Sequence, residues 1–184
     1  PILNGHVQKV LVIGAEVMSQ VVDWKDRSVC VLFGDGAGAV VLGEDSSGKS
    51  IFRLHSDSGS AQALTLGKEN AVHMNGREIF SFALEVPESV KEVLEESETA
   101  KEQVKYFILH QANARMIEVL QSGWMYRLKN FDESGTHGNT SAASIPVLLD
   151  ELNRQNRLIP GDVLILSGFG GGLSWGSALL EWHK

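Results

Sequence analysis

The stretch VKYFILHQANARMIEVLQSG, residues 104–123, joins two kinds of pattern without a linker between them. Its first six residues, Val104 to Leu109, are apolar almost without alternation, as in a strand covered on both faces. The stretch ANARMIEVLQSG that follows reads as a helix, with Gly123 as its C-terminal signal. A buried strand running straight into a helix is the repeating unit of an α/β layered domain. Outward from it, similar apolar runs predict strands at Val10 to Ile13, Val29 to Phe33 and Val163 to Leu166. A further strand lies between the glycines of FGDGAGAVVLG, and a last one lies around Ser177 to Trp182. In NGREIFSFAL, helical spacing puts Ile79, Phe80, Ala83 and Leu84 on one face. Pro87 then fits the first turn of a second helix with Val90, Val93 and Leu94 inward. The acidic run Glu92 to Glu98 reads as that helix's solvated side. A final helix is predicted from about Ser141 to just before Pro160-Gly161.

The chain has 184 residues, 43% hydrophobic and 21% charged, enough for one domain with a sizeable core. Sixteen basic against 23 acidic residues give a net charge of −7, which argues against general binding to nucleic acid or an anionic membrane. The single cysteine, Cys30, excludes an intrachain disulfide and fits a reducing, cytoplasmic setting. Inside an apolar strand it is a poor nucleophile. No membrane-length apolar run or secretory leader is present, so the sequon Asn139-Thr140-Ser141 reads as accidental. A core strand this close to the first residue reads as the later part of a longer polypeptide. Six histidines include no ligand-spaced pair, so no metal site is expected. Neither glycine string opens a helix, which rejects a nucleotide loop, and no Gly-x-Ser-x-Gly elbow is present.

Two polar residues stand where a core would not choose them. His110 falls at the carboxyl end of the strand 104–109, where ligands collect in α/β sheets. Asn139 sits among small residues in HGNTSAAS, before the last helix. Each has an ordinary alternative: a histidine satisfied by backbone, and a helix cap at Asn139 or Thr140. Gln111 and Asn113 are candidate caps for the helix after His110. A histidine and an asparagine at the entrances of two helices of one sheet can also converge on one pocket.

In order along the chain, VLFGDGAGAVVLG, LHQANARMIE, GNTSAASIPVLLDE and LSGFGGGLSWGSALLEW resemble the second part of the β-ketoacyl-[acyl carrier protein] synthase III family. The resemblance implies a thiolase-like layered αβαβα fold, in which residues 1–50 end the N-terminal half and 51–184 form the C-terminal half, usually in a homodimer. It implies a Cys-His-Asn triad whose histidine and asparagine match His110 and Asn139. The family's cysteine precedes Pro1 and Cys30 does not match it, so a missing N-terminal half or companion chain would supply it. The implied reaction is a decarboxylative condensation of an acyl-CoA starter with malonyl-acyl carrier protein, with coenzyme A as part of a substrate and no cofactor. Family positions along the coenzyme A tunnel match Arg27, Met74 and Gly76. Phe33 and Phe169 match apolar pocket positions, and Gly170 and Gly171 an oxyanion loop. Arg115 matches a carrier-docking position, with Arg127 and Lys129 as further basic residues. Arg77 stands where many members have asparagine. Alternatives are a related acyl-CoA-dependent acyltransferase or ketide synthase of a secondary pathway, and a non-catalytic synthase-like interaction subunit.

Overall fold

The structure is a computed structural model and describes residues 2, 5–44, 50–123 and 137–183. Strands β1 (Lys9–Glu16) and β2 (Gly36–Gly43) pair antiparallel as a sheet of their own. Strands β3 (Ile51–Ser56), β6 (Val104–Leu109), β7 (Val163–Gly170) and β8 (Ser174–Glu181) form a second sheet in the order β3-β8-β7-β6. Short strands β4 (Leu64–Leu66) and β5 (Val72–Met74) make a small hairpin. The helices are α1 (Gly76–Ala83), α2 (Val86–Glu96), α3 (Ala114–Gly123) and α4 (Ser144–Arg154).

Strand β6 explains the layering. Phe107 and Leu109 enter a core shared with Phe82, Val90, Val93, Met116 and Leu120 of α1, α2 and α3. Tyr106 and Ile108 enter a second core with Leu148, Leu149 and Leu152 of α4. With a period of two, adjacent residues must serve opposite layers, so both faces need apolar side chains and alternation vanishes. β7 pairs with β6 in parallel and repeats the division, Ile165 on one side and Leu164 on the other.

Several expectations change. Residues 29–32 are turns and Phe33 makes an isolated bridge, not a strand, because Asp26 captures the local backbone: its carbonyl accepts from Val29 and Cys30, and its carboxylate accepts from Ser28 N. Cys30 is therefore half-buried on a turn rather than enclosed in a strand. β1 forms where expected but is not covered on both faces. One face packs on α4, while Leu11 and Ile13, with Val41 opposite, stay 59%, 62% and 65% exposed. α1 ends at Ala83, so Phe82 is buried and Leu84 is not. α4 ends six residues before Pro160, because Asn156 adopts φ +54 and lets Arg157 N donate to the Leu152 carbonyl, an asparagine version of a glycine stop. β3, β4 and β5 lacked a sequence signal. Glu92 and Glu96 are not simply solvated: they pair with His55 and Arg53 of β3.

Close approach of α4 to the β1–β2 sheet requires glycine. A Cβ on Gly38 would lie 2.8 Å from Val147 N, and one on Gly14 would collide with the Ala142 carbonyl oxygen. Gly14→Ala is expected to push residues 139–143 off the sheet and cost about 1–3 kcal/mol, read from the urea midpoint.

Candidate active site

The backbone N–H of His110 donates to Ser167 O at 2.8 Å, which pins the residue at the carboxyl ends of the parallel pair β6 and β7. Its ring meets Phe169 edge to face, with centroids 5.6 Å apart. Ring Nδ1 lies 2.8 Å from Ser144 Oγ, which leaves Nε2 as the other polar position of the ring. Burial pushes the imidazole's pKa down from its ordinary 6.5 to about 4. The ring is therefore neutral at neutral pH.

That shift has a consequence for stability. The unfolded chain takes up the proton near pH 6.5 and the folded site only near 4, so the unfolded state binds more protons in between. The contribution of neutral His110 is complete above pH 6.5 and is lost as pH falls through that window, by about 3 kcal/mol in all. An NMR titration of His110 should show a midpoint near pH 4 and no change between pH 6 and 8.

Asn139 is clamped by the turn that replaced the expected strand. Its N–H donates to Leu32 O at 2.8 Å, and its C=O accepts from Gly34 N at 3.0 Å. Its side-chain Oδ1 accepts from Ser141 N at 2.9 Å, whereas Thr140 makes no side-chain cap bond. Asn139 thus makes the capping contact expected of it. The amide oxygen orders the 3-10 turn Ser141–Ala143 that leads into α4, and the amide NH2 is left as a donor.

His110 and Asn139 line one cleft of about 1340 Å³. Phe33, Met74, Gly76, Phe169, Gly170 and Gly171, which the resemblance gave to the pocket, tunnel and oxyanion loop, line it too, and so does Arg115, which it gave to carrier docking. Arg27 is exposed and is not a lining residue, although its neighbour Ser28 is. Arg127 and Lys129 lie outside the described residues. Asn113 lines the cleft and caps α3, its Oδ1 accepting from Met116 N at 2.9 Å. Sequence reading missed Ser144, Met18 and the β4 residues as cleft lining, because a serine inside a helix start and apolar residues in loops carry no distinguishing pattern. The described lining includes Arg77, Arg115 and His110 but no Asp or Glu, in a chain of net charge −7. An apolar cleft with cationic groups and neutral N–H donors suits an anionic, acyl-bearing ligand. Among the described residues, no three His, Cys, Asp or Glu side chains group to hold a metal ion. No helix among them is long and apolar enough to cross a membrane.

Residues 1–60 match the model of 3-oxoacyl-[acyl-carrier-protein (ACP)] synthase III, and residues 94–182 match that of its C-terminal part. The chain belongs to this family. It is 40% identical to the β-ketoacyl-[acyl-carrier-protein] synthase III of Porphyra umbilicalis, over 97% of the chain and 61% of that protein. With the Nostoc enzyme of the same name the figures are 42%, 100% and 62%. The crystal structure of the Aquifex aeolicus 3-oxoacyl-[acyl-carrier-protein] synthase III superposes with a TM-score of 0.92 at 40% identity, covering 98% of this chain and 60% of that one. The priming β-ketosynthase of the R1128 polyketide pathway superposes at 0.86 and 34% identity, over 96% of this chain and 58% of that one. The fold is therefore that of the thiolase-like condensing enzymes, and the chain spans about three fifths of the length of these relatives.

Proposed function

We propose that this chain is the part of a β-ketoacyl-acyl carrier protein synthase III that stabilises the enolate in a decarboxylative condensation. The observation that carries the reading is the pairing of two neutral donor residues, His110 and Asn139, in one cleft whose described lining has no carboxylate. In the reaction, the bond between the malonyl carboxylate and its α-carbon breaks and carbon dioxide leaves. The electron pair moves onto the thioester oxygen as an enolate. Donation from Nε2 of His110 and Nδ2 of Asn139 stabilises that oxygen, and the α-carbon attacks the acyl carbonyl of an acyl-cysteine, expelling the thiolate. Phe33 and Phe169 keep the cleft apolar, which favours conversion of a carboxylate to neutral carbon dioxide. In this reading the acyl-carrying thiol belongs to polypeptide outside these residues, and it is not Cys30, the sequence's one cysteine, which is not a lining residue. In this reading residues 1–50 close the first thiolase-like half, residues 51–184 form the second, and the enzyme acts as a homodimer.

Acyl-CoA enters along Met74 and Gly76, with Gly170 and Gly171 close to the acyl carbonyl, and Arg115 meets the acidic carrier protein. The test is carbon dioxide release from malonyl-carrier protein by the protein with its cysteine-bearing part present; no release overturns the reading. Arg115→Glu is expected to raise KM for malonyl-carrier protein about tenfold. A second reading, a priming ketosynthase of a secondary pathway, is favoured by the likeness to the R1128 enzyme. Turnover with malonyl-CoA in preference to malonyl-carrier protein would select it.

A further inference from the structure

The neutral imidazole of His110 has one N–H, and the proposed chemistry needs that hydrogen on the nitrogen that faces the substrate. A neutral histidine is useful as a donor only when something settles which nitrogen carries the proton. We propose that Ser144 is the positioning residue that does this, by donating its hydroxyl hydrogen to Nδ1 and so holding the proton on Nε2. The inference rests on the condensing reading for its consequence, but its structural content stands separately.

The argument is an accounting of one hydroxyl. Ser144 is buried, 4% exposed, at the first residue of α4. Its Oγ accepts the Gln111 backbone N–H at 3.4 Å, which occupies one lone pair. Its hydrogen needs an acceptor, because a buried hydroxyl left without one costs free energy. Among the described residues the acceptor paired with it is His110 Nδ1 at 2.8 Å, and apart from the Gln111 N–H no other hydrogen bond to either side chain stands beside it. If Nδ1 carried the proton instead, Oγ would take two donors and its own hydrogen would be stranded. The same hydroxyl also ties two backbones. Gln111 follows His110 at the end of β6, and Ser144 lies one 3-10 turn beyond Asn139. One side chain therefore couples the positions of both donors, through β6 on one side and the start of α4 on the other.

The assignment is tested first on the unaltered protein, by long-range nitrogen–proton NMR of labelled histidine, with the His110 signals identified by their loss in His110→Gln. At pH 7 the ring is expected to be protonated at Nε2 alone. In Ser144→Ala a substantial population protonated at Nδ1 is expected, and kcat for carbon dioxide release from a malonyl thioester should fall about 10–100-fold with KM little changed. Ser144→Thr retains the hydroxyl and should retain the Nε2 tautomer and most of kcat. A wild-type ring protonated at Nδ1, or a Ser144→Ala ring still protonated at Nε2 alone, overturns the proposal. If the tautomers behave as stated while His110→Ala releases carbon dioxide at the wild-type rate, the condensing reading falls and the role of Ser144 as tautomer-setter stands.

Discussion

His110→Ala and Asn139→Ala, each made in the protein with its cysteine-bearing part present, are expected to lower malonyl-thioester decarboxylation by about 100–1000-fold. The size follows from the loss of one preorganised donor to a developing oxyanion, about 3–4 kcal/mol of barrier. Most of the loss should fall in kcat, because the ground-state thioester oxygen carries little charge and the enolate carries a full one. The double variant should be less than multiplicatively worse, since in the proposed reaction both donors serve the same oxygen. Asn139→Asp separates charge from geometry. It keeps the acceptor for Ser141 N but replaces the donor with a carboxylate beside a forming anion, so it should be at least as inactive as Asn139→Ala. Decarboxylation within threefold of wild type in both alanine variants would remove the enolate reading.

The largest stability effects are expected at two neighbouring residues of β6. Phe107 and Ile108 are 1% and 0% exposed and face opposite cores. Phe107→Ala should cost about 3–5 kcal/mol and Ile108→Ala about 2–5 kcal/mol, each the transfer free energy of the lost atoms plus the cavity left behind. Urea unfolding measures both. The two should differ in their effect on the site. Phe107 shares its core with Phe82 and Phe169, and Phe169 lies against the His110 ring, so a void there loosens the wall of the cleft. Ile108 supports α4, which carries Ser144. Costs under 1 kcal/mol at both positions would contradict the two-layer description of the sheet.

The parts of the fold that were legible share one property: their signal is local. Val104 to Leu109 and Val163 to Leu166 are apolar because both of their faces are buried, and Pro87 starts α2 because its missing N–H costs nothing there. β4 and β5 are three residues each and pair only with one another, too short for any period to register. Val29 to Phe33 has the composition of a strand, but Asp26 holds its backbone in turns, and a hydrogen bond outweighs a propensity worth less.

The site divides along the same line. Sequence alone placed His110 at a strand end and Asn139 before a helix, and the resemblance joined them to one chemistry. It also named Phe33, Met74, Gly76, Phe169, Gly170 and Gly171 among the lining residues. Tertiary structure decided how Asn139 is held, with its oxygen spent on the fold and its NH2 left over, and that the apolar run 29–33 is the clamp that holds it. It decided the neutral state of His110, because desolvation depends on every atom around the ring. Ser144 belongs wholly to that second kind. In sequence it is one serine among several, and it acquires a role only because folding brings it within 2.8 Å of a histidine 34 residues away.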